Sequence, residues 1–174
     1  MEKKGTTSMT NGVILGLILI VLGLVIYFMK IDVNGPVKWL QMIIFAGFII
    51  WAVPFHGKQI DYNATFGNNF AYGFKIAAVA TSLLVIYMIV FNLVFPDFKD
   101  TALEQARKNM MDKNMPADQI DKAMDITRRF FLVFVIGGLI VINLIIGLIA
   151  ALIGASITKK GPDMAGGAFT QTGS

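Results

Sequence analysis

Four long apolar runs constrain this chain more than any other feature: Val13 to Met29, Val37 to Phe55, Phe70 to Phe95 and Phe130 to Ile157. Each meets or nearly meets the roughly 17 to 25 residues that an α-helix needs to cross a bilayer. Within hydrocarbon every backbone N–H and C=O must be paired inside the protein, so only helices and closed β-barrels can span. The runs do not alternate apolar with polar residues as barrel strands do. They predict an all-α, polytopic membrane protein with four transmembrane helices. Composition agrees, with 56% of 174 residues hydrophobic and 15% charged, outside the usual range of soluble domains.

What lies between the runs is too short and scattered for a separate soluble core. One four-helix transmembrane domain over residues 1–160 is therefore expected. The segment that follows, 161–174, is rich in small and polar residues without helical periodicity and is expected to be disordered. Lys3 and Lys4 precede the first run as in a secretory signal. The run is too long for a signal core, and no small-x-small cleavage site precedes Lys30, so it reads as a retained helix.

The longest polar stretch, about 97–129, separates the third and fourth runs. Phe95-Pro96 ends the third run, because proline disfavours helical geometry in the residue before it and has no amide donor. Asp97 is placed to cap a new helix, in which Phe98, Ala102, Leu103, Ala106, Met110 and Met111 recur at helical spacing. The helix stops near Asn114, and Pro116 opens a second one with Ile120, Ala123, Met124, Thr127 and Phe131 on one face. Spacings of four residues predict ion pairs Glu104–Lys108, Asp118–Lys122 and Asp125–Arg129. The stretch is thus an amphipathic helical hairpin. The third and fourth runs, roughly 39 and 42 Å long as helices, exceed a hydrocarbon core of about 30 Å. Their ends are expected to project on the hairpin side.

Charge sets the expected orientation. Lys58, Lys75, Lys159 and Lys160 share a side with Lys3 and Lys4, whereas Lys30 and Lys38 share the other with the hairpin. Counted strictly, the hairpin's seven basic residues tip the positive-inside rule toward a cytoplasmic hairpin. Seven acidic residues match them, however, making the hairpin a neutral and folded unit, and the short segments then place both termini in the cytoplasm and the hairpin in the periplasm. The net charge of +4 is spread over tails and short loops. It offers no clustered basic face for nucleic acid and no polybasic lipid-binding window.

Chemistry inside the membrane would leave ionisable residues at depth, and none is found there. Thr81, Ser82, Tyr87, Asn92 and Asn143 are the polar residues expected to be buried in the last two runs, hydrogen-bonding between helices at about 0.6 kcal/mol each. Asn143 is the candidate for lining a lipid or substrate cleft. Small residues four apart, Gly12 with Gly16, Gly147 with Ala151, and Ala150 with Gly154, form candidate helix-packing faces that serve contacts within one chain or between chains equally. His56, the only histidine, and Asp61 fall in a predicted turn at the membrane edge and lack the partners that a catalytic set requires. No catalytic, cofactor-binding or metal site is expected. Met110, Met111, Met115 and Met124 give the hairpin a candidate partner surface, since flexible methionines suit adaptable contacts.

In order and spacing, "TNGVILGLILIVLGLVIYF", "IDYNATFGNNFAYGFKIAA", "FPDF" and "IGLIAALIGASITKK" resemble the family called domain of unknown function 4199. These are small inner-membrane proteins of Gram-negative bacteria. The resemblance implies a four-span protein of the bacterial inner membrane and assigns no activity, cofactor or catalytic residue. Together these readings give a non-catalytic integral membrane protein, an accessory or partner-binding subunit of a membrane or envelope complex. Its expected partners are membrane lipids and another membrane protein or a second copy of itself. A small oligomeric transporter or lipid-handling protein is the alternative.

Overall fold

A computed structural model describes residues 6–31 and 37–159, apart from the Lys38 side chain. The segment expected to be disordered, 161–174, lies outside the described residues, as do Lys3, Lys4 and Lys160. Six α-helices account for most of the described chain: α1 (Ser8–Phe28), α2 (Val37–Gln59), α3 (Phe66–Val94), α4 (Asp97–Asp112), α5 (Ala117–Arg129) and α6 (Phe131–Ile157). By length and apolarity α1, α2, α3 and α6 qualify as membrane spans, and α4 and α5 form the predicted hairpin.

Three of the spans are longer than their apolar runs. α1 starts at Ser8 and not Val13 because Thr7 caps it, its hydroxyl accepting from the Thr10 N–H at 3.2 Å. Thr65 does the same for Asn68 at 3.2 Å, so α3 begins at Phe66. A cap satisfies first-turn donors that apolarity alone says nothing about. α2 runs through Pro54 to Gln59 and takes His56 into its last turn. Three helix ends share one stop signal, a residue with positive φ followed by a bond back over the last turn: Lys30, Asp61 and Asn114, with Ile31, Tyr62 and Met115 donating to Ile26, Gly57 and Met110. These are Schellman closures.

The chain divides into two compact units, Met1–Leu84 with Ile142–Ser174, and Val85–Val141. In the first, Leu15 and Leu19 of α1, Phe45, Ile49 and Val53 of α2, Ile76, Ala77 and Ala80 of α3, and Ala150 and Ala151 of α6 form the buried core. The small residues are spent inside this unit. A Cβ on Gly12 would lie 2.6 Å from Val79 Cβ, and one on Gly16 would lie 2.7 Å from Leu83 Cδ2, so α1 approaches α3 closely at both. Gly147 abuts Ala77, Ala151 faces Gly73 with 2.9 Å left for a Cβ there, and Gly154 faces Val53 at 3.0 Å. By contrast, a Cβ on Gly137 or Gly138 of α6, in the second unit, would meet nothing within 4 Å.

The second unit is organised by aromatic rings. Phe91 contacts Phe95 (4.9 Å between centroids) and Phe98 (5.3 Å), and Phe98 reaches Phe131 at 6.4 Å. Leu103 and Ile120 are buried. Asp97 is not the cap that its sequence position predicts. Pro96 holds that place in helical geometry, with Phe98 and Lys99 donating to Phe95 and Pro96 carbonyls, so one turn continues across the proline. Asp97 and Asp100 instead put carboxylates at the positive end of α4. At α5, Pro116 stands one place earlier than predicted, as the extended residue before the helix.

Gly147→Val places a Cβ and its two methyl groups against Ala77 and is expected to cost about 1 to 3 kcal/mol of stability. The same change at Gly138 is expected to leave the isolated chain's melting temperature nearly unchanged. Thermal unfolding of both variants in detergent checks the pair.

Candidate functional site

The most connected polar group in the chain gathers where α1 and α3 begin and α2 ends. Tyr72 OH donates to the Thr6 carbonyl at 2.9 Å and accepts from Asn11 Nδ2 at 2.8 Å. The Thr6 N–H and hydroxyl both donate to Gln59 Oε1, at 2.7 and 2.9 Å. One phenol thereby ties α1 to α3, and one amide ties the start of α1 to the end of α2. The His56 ring lies flat on Tyr72, 3.8 Å between centroids at 10°. Asn11 is only 6% exposed, and its amide finds its shorter bond at the phenol and a longer one, 3.4 Å, at the Thr6 hydroxyl.

Beside this cluster is a pocket of about 250 Å³ lined in part by Ser8, His56, Asn68, Asn69, Tyr72 and Lys75. Among the described residues its lining carries one ammonium, that of Lys75, and no carboxylate. Two buried atoms of the lining residues have no hydrogen-bond partner, His56 Nδ1 and Asn69 Oδ1. Sequence reasoning missed Asn11, Gln59 and Asn69, because it took the first and third helices to start at Val13 and Phe70 and the second to end at Phe55, and it missed Tyr72, which lies within the third run, because a lone tyrosine near a helix start carries no signal of its partners. The available signal was the recurrence of amide and hydroxyl residues at the same end of three helices. His56, expected in a turn with Asp61, stands instead in the last turn of α2, while Asp61 lies beyond the helix in left-handed geometry.

The other predicted residues divide between the units. Gly12, Gly16, Gly147, Ala151 and Gly154 are buried small residues of the first, and Asn143 is a half-buried position on α6. Three of the polar residues expected to bond between helices show no such bond at these atoms. Ser82 Oγ donates to Ala78 O in its own helix at 2.9 Å, while Thr81 Oγ1 and Asn92 Nδ2 are buried with no partner. A serine hydroxyl in a helix reaches the carbonyl four residues back more readily than a neighbouring helix.

In the hairpin, Met110, Met115 and Met124 are half-buried and Met111 is 59% exposed. Met110 sits seven residues from buried Leu103, and Met124 four from buried Ile120, on the faces that meet between α4 and α5. Met111 and Ile126, the latter 55% exposed, lie off those faces. The predicted pairs within each helix give way to one between them, Arg107 to Asp121 at 3.0 Å, the one pair closer than 4 Å among the described hairpin residues. It borders a cleft of about 530 Å³ that also includes Asp100, Glu104, Asp125 and Arg128. Among the described residues no three histidine, aspartate or glutamate side chains converge as a metal site would require.

The family model described as "Protein of unknown function (DUF4199)" matches residues 10–160. The chain belongs to this family. No curated protein and no solved structure matches it. The DUF4199 match takes in all but the first two residues of α1, all of α2 to α6, and every residue of the polar cluster except Thr6.

Tyr72→Phe removes the hydroxyl that pairs buried Asn11 and is expected to cost about 1 to 3 kcal/mol. A melt in detergent, compared with Tyr87→Phe, measures it. Equal melting temperatures for Tyr72→Phe and the unmodified chain would show that the cluster does not hold α1 to α3.

Proposed function

We propose that this protein is a non-catalytic subunit of a membrane or envelope complex, acting by binding another membrane protein along α6. The observation that carries this reading is the state of Gly137 and Gly138. Each glycine costs a helix roughly 1 kcal/mol relative to alanine, and Gly12, Gly16, Gly73, Gly147 and Gly154 of the first unit recover that cost by close approach to a neighbour, whereas Gly47 of α2 does not. Gly137 and Gly138 have no such neighbour. Lipid needs no glycine, because it conforms to any apolar surface, whereas a second helix packs best on small residues. The exposure of α6 supports the same reading: 6% of its most apolar stretch is buried, against 28 to 33% in α1, α2 and α3. Exposed Met111 and Ile126 extend an apolar surface onto the hairpin.

The setting that goes with this reading is the bacterial inner membrane, with both termini cytoplasmic and the hairpin periplasmic. Its support is the charge balance of the hairpin and the lysines at the opposite loop ends. At 29 and 27 residues, α3 and α6 are about 43 and 40 Å long, more than the hydrocarbon thickness, which suits helices that carry a hairpin clear of the membrane.

A photo-crosslinking residue at Val141, one turn from Gly138, is expected to trap a defined protein adduct at native expression, and Gly138→Leu is expected to abolish it without lowering the amount of folded protein. An adduct that persists in Gly138→Leu, or no adduct at all, would sink the reading. For orientation, the chain has no native cysteine. A cysteine at position 114 should then react with an impermeant maleimide in whole cells while one at position 174 should not, and the reverse pattern overturns the orientation.

A further inference from the structure

We propose that the pocket beside Tyr72 binds the headgroup of a membrane phospholipid, with Lys75 on its phosphate and Asn69 and His56 accepting from an amine or hydroxyl of the same headgroup. Four observations carry it, and none depends on α6 or the hairpin.

The first is charge. Among the described residues of the lining, Lys75 supplies the one ammonium and none carries a carboxylate to oppose an anion. The second is the backbone. α1 and α3 both begin here, at Ser8 and Phe66, and neither has an acidic residue in its first turn. Thr7 and Thr65 each cap one N–H, which leaves first-turn donors of two helices and their positive ends facing the same region. The third is the pair of unpartnered atoms. Asn69 is 4% exposed and its Oδ1 has no donor, while His56 Nδ1, buried beside the same pocket, is also without a partner. A buried polar atom without a partner costs about 1 to 3 kcal/mol in proteins generally, which a donor from a ligand relieves.

The fourth is place and size. Ser8, Asn68 and Asn69 are in the first turn of α1 or α3 and His56 is in the last turn of α2, the level at which headgroups lie. Trp51 and Phe55, stacked at 4.9 Å and both exposed on α2, are rings of the kind that mark a membrane boundary. At about 250 Å³ the pocket is below the roughly 300 to 1,000 Å³ that holds a drug-sized metabolite, and it suits a single headgroup whose acyl chains remain in the bilayer.

The site discriminates by chemistry. Phosphoethanolamine and phosphoglycerol headgroups offer both a phosphate and a donor, whereas phosphocholine offers a phosphate and no donor. Full-length protein reconstituted in nanodiscs of equal parts phosphatidylethanolamine, phosphatidylglycerol and phosphatidylcholine is released into native mass spectrometry, and retained lipid is counted. Expected is retention of one phosphatidylethanolamine or phosphatidylglycerol over phosphatidylcholine by about tenfold, the scale of one charged hydrogen bond. Lys75→Gln should lower retention of phosphatidylethanolamine and phosphatidylglycerol about tenfold, while Lys75→Arg and Lys58→Gln, the latter an exposed position that does not line the pocket, should keep it. Asn69→Leu, which removes the acceptor at similar size, should lose the preference over phosphatidylcholine. Should Lys75→Gln or Asn69→Leu fail to fold, the unmodified chain's selectivity and the Lys75→Arg result decide. Equal retention of the three lipids, or retention indifferent to Lys75, overturns the proposal. A preference erased by millimolar inorganic phosphate identifies a site for the free anion and overturns the lipid assignment. Because the readout is bound lipid, failure here leaves the crosslinking result at Val141 untouched.

Discussion

The first unit depends on how closely three helices approach α3. Lipid tails are as apolar as leucine, so burying apolar side chains does not draw helices together in a bilayer. What remains is dispersion between well-fitted surfaces and a few hydrogen bonds. Both fall off within an ångström or two. Gly12 and Gly16 let α1 settle against Val79 and Leu83, and Gly147 lets α6 reach Ala77. Asn11, next to Gly12, is brought to the Tyr72 hydroxyl by the same approach. The polar cluster follows from the glycine contacts, since a bulkier residue at Gly12 would hold α1 away from α3 next to that bond.

The second unit is held differently. Its helices carry rings where the first unit carries glycine, and Phe91, Phe98 and Phe131 join the end of α3, the start of α4 and the start of α6. Leu103 and Ile120 close the hairpin's interior. Arg107 and Asp121 link the two arms at the surface, with both side chains more than half exposed, so their bond contributes at most about 1 kcal/mol. Asn114 fits the turn because an asparagine tolerates the left-handed geometry that a Schellman closure requires.

Much of this architecture is legible in the residues themselves. The apolar runs mark the four spans, and Pro96, Asn114 and Pro116 mark the breaks that make a hairpin of the polar stretch. These signals are local: a helix of apolar residues long enough for the bilayer, a missing amide donor, a residue that accepts positive φ. The helix ends are less legible, since Thr7 and Thr65 extend α1 and α3 into polar residues that hydropathy assigns to loops. The same gap hid most of the polar cluster: Thr6, Asn11 and Gln59 lie just outside the apolar runs, and only Tyr72 falls inside one.

Sequence by itself determined the class, the number of candidate spans and the helical hairpin between the last two, because hydropathy and turn chemistry act over a few neighbouring residues. The tertiary structure alone decided which small residues are used within the chain and which are bare. Gly147 and Gly137 read alike along α6, yet one abuts Ala77 and the other meets nothing. It also decided that Asn11, Gln59 and Tyr72 share one network and that the hairpin's ion pair runs between its arms. Those outcomes turn on distances between segments far apart in the chain, and no local pattern encodes them.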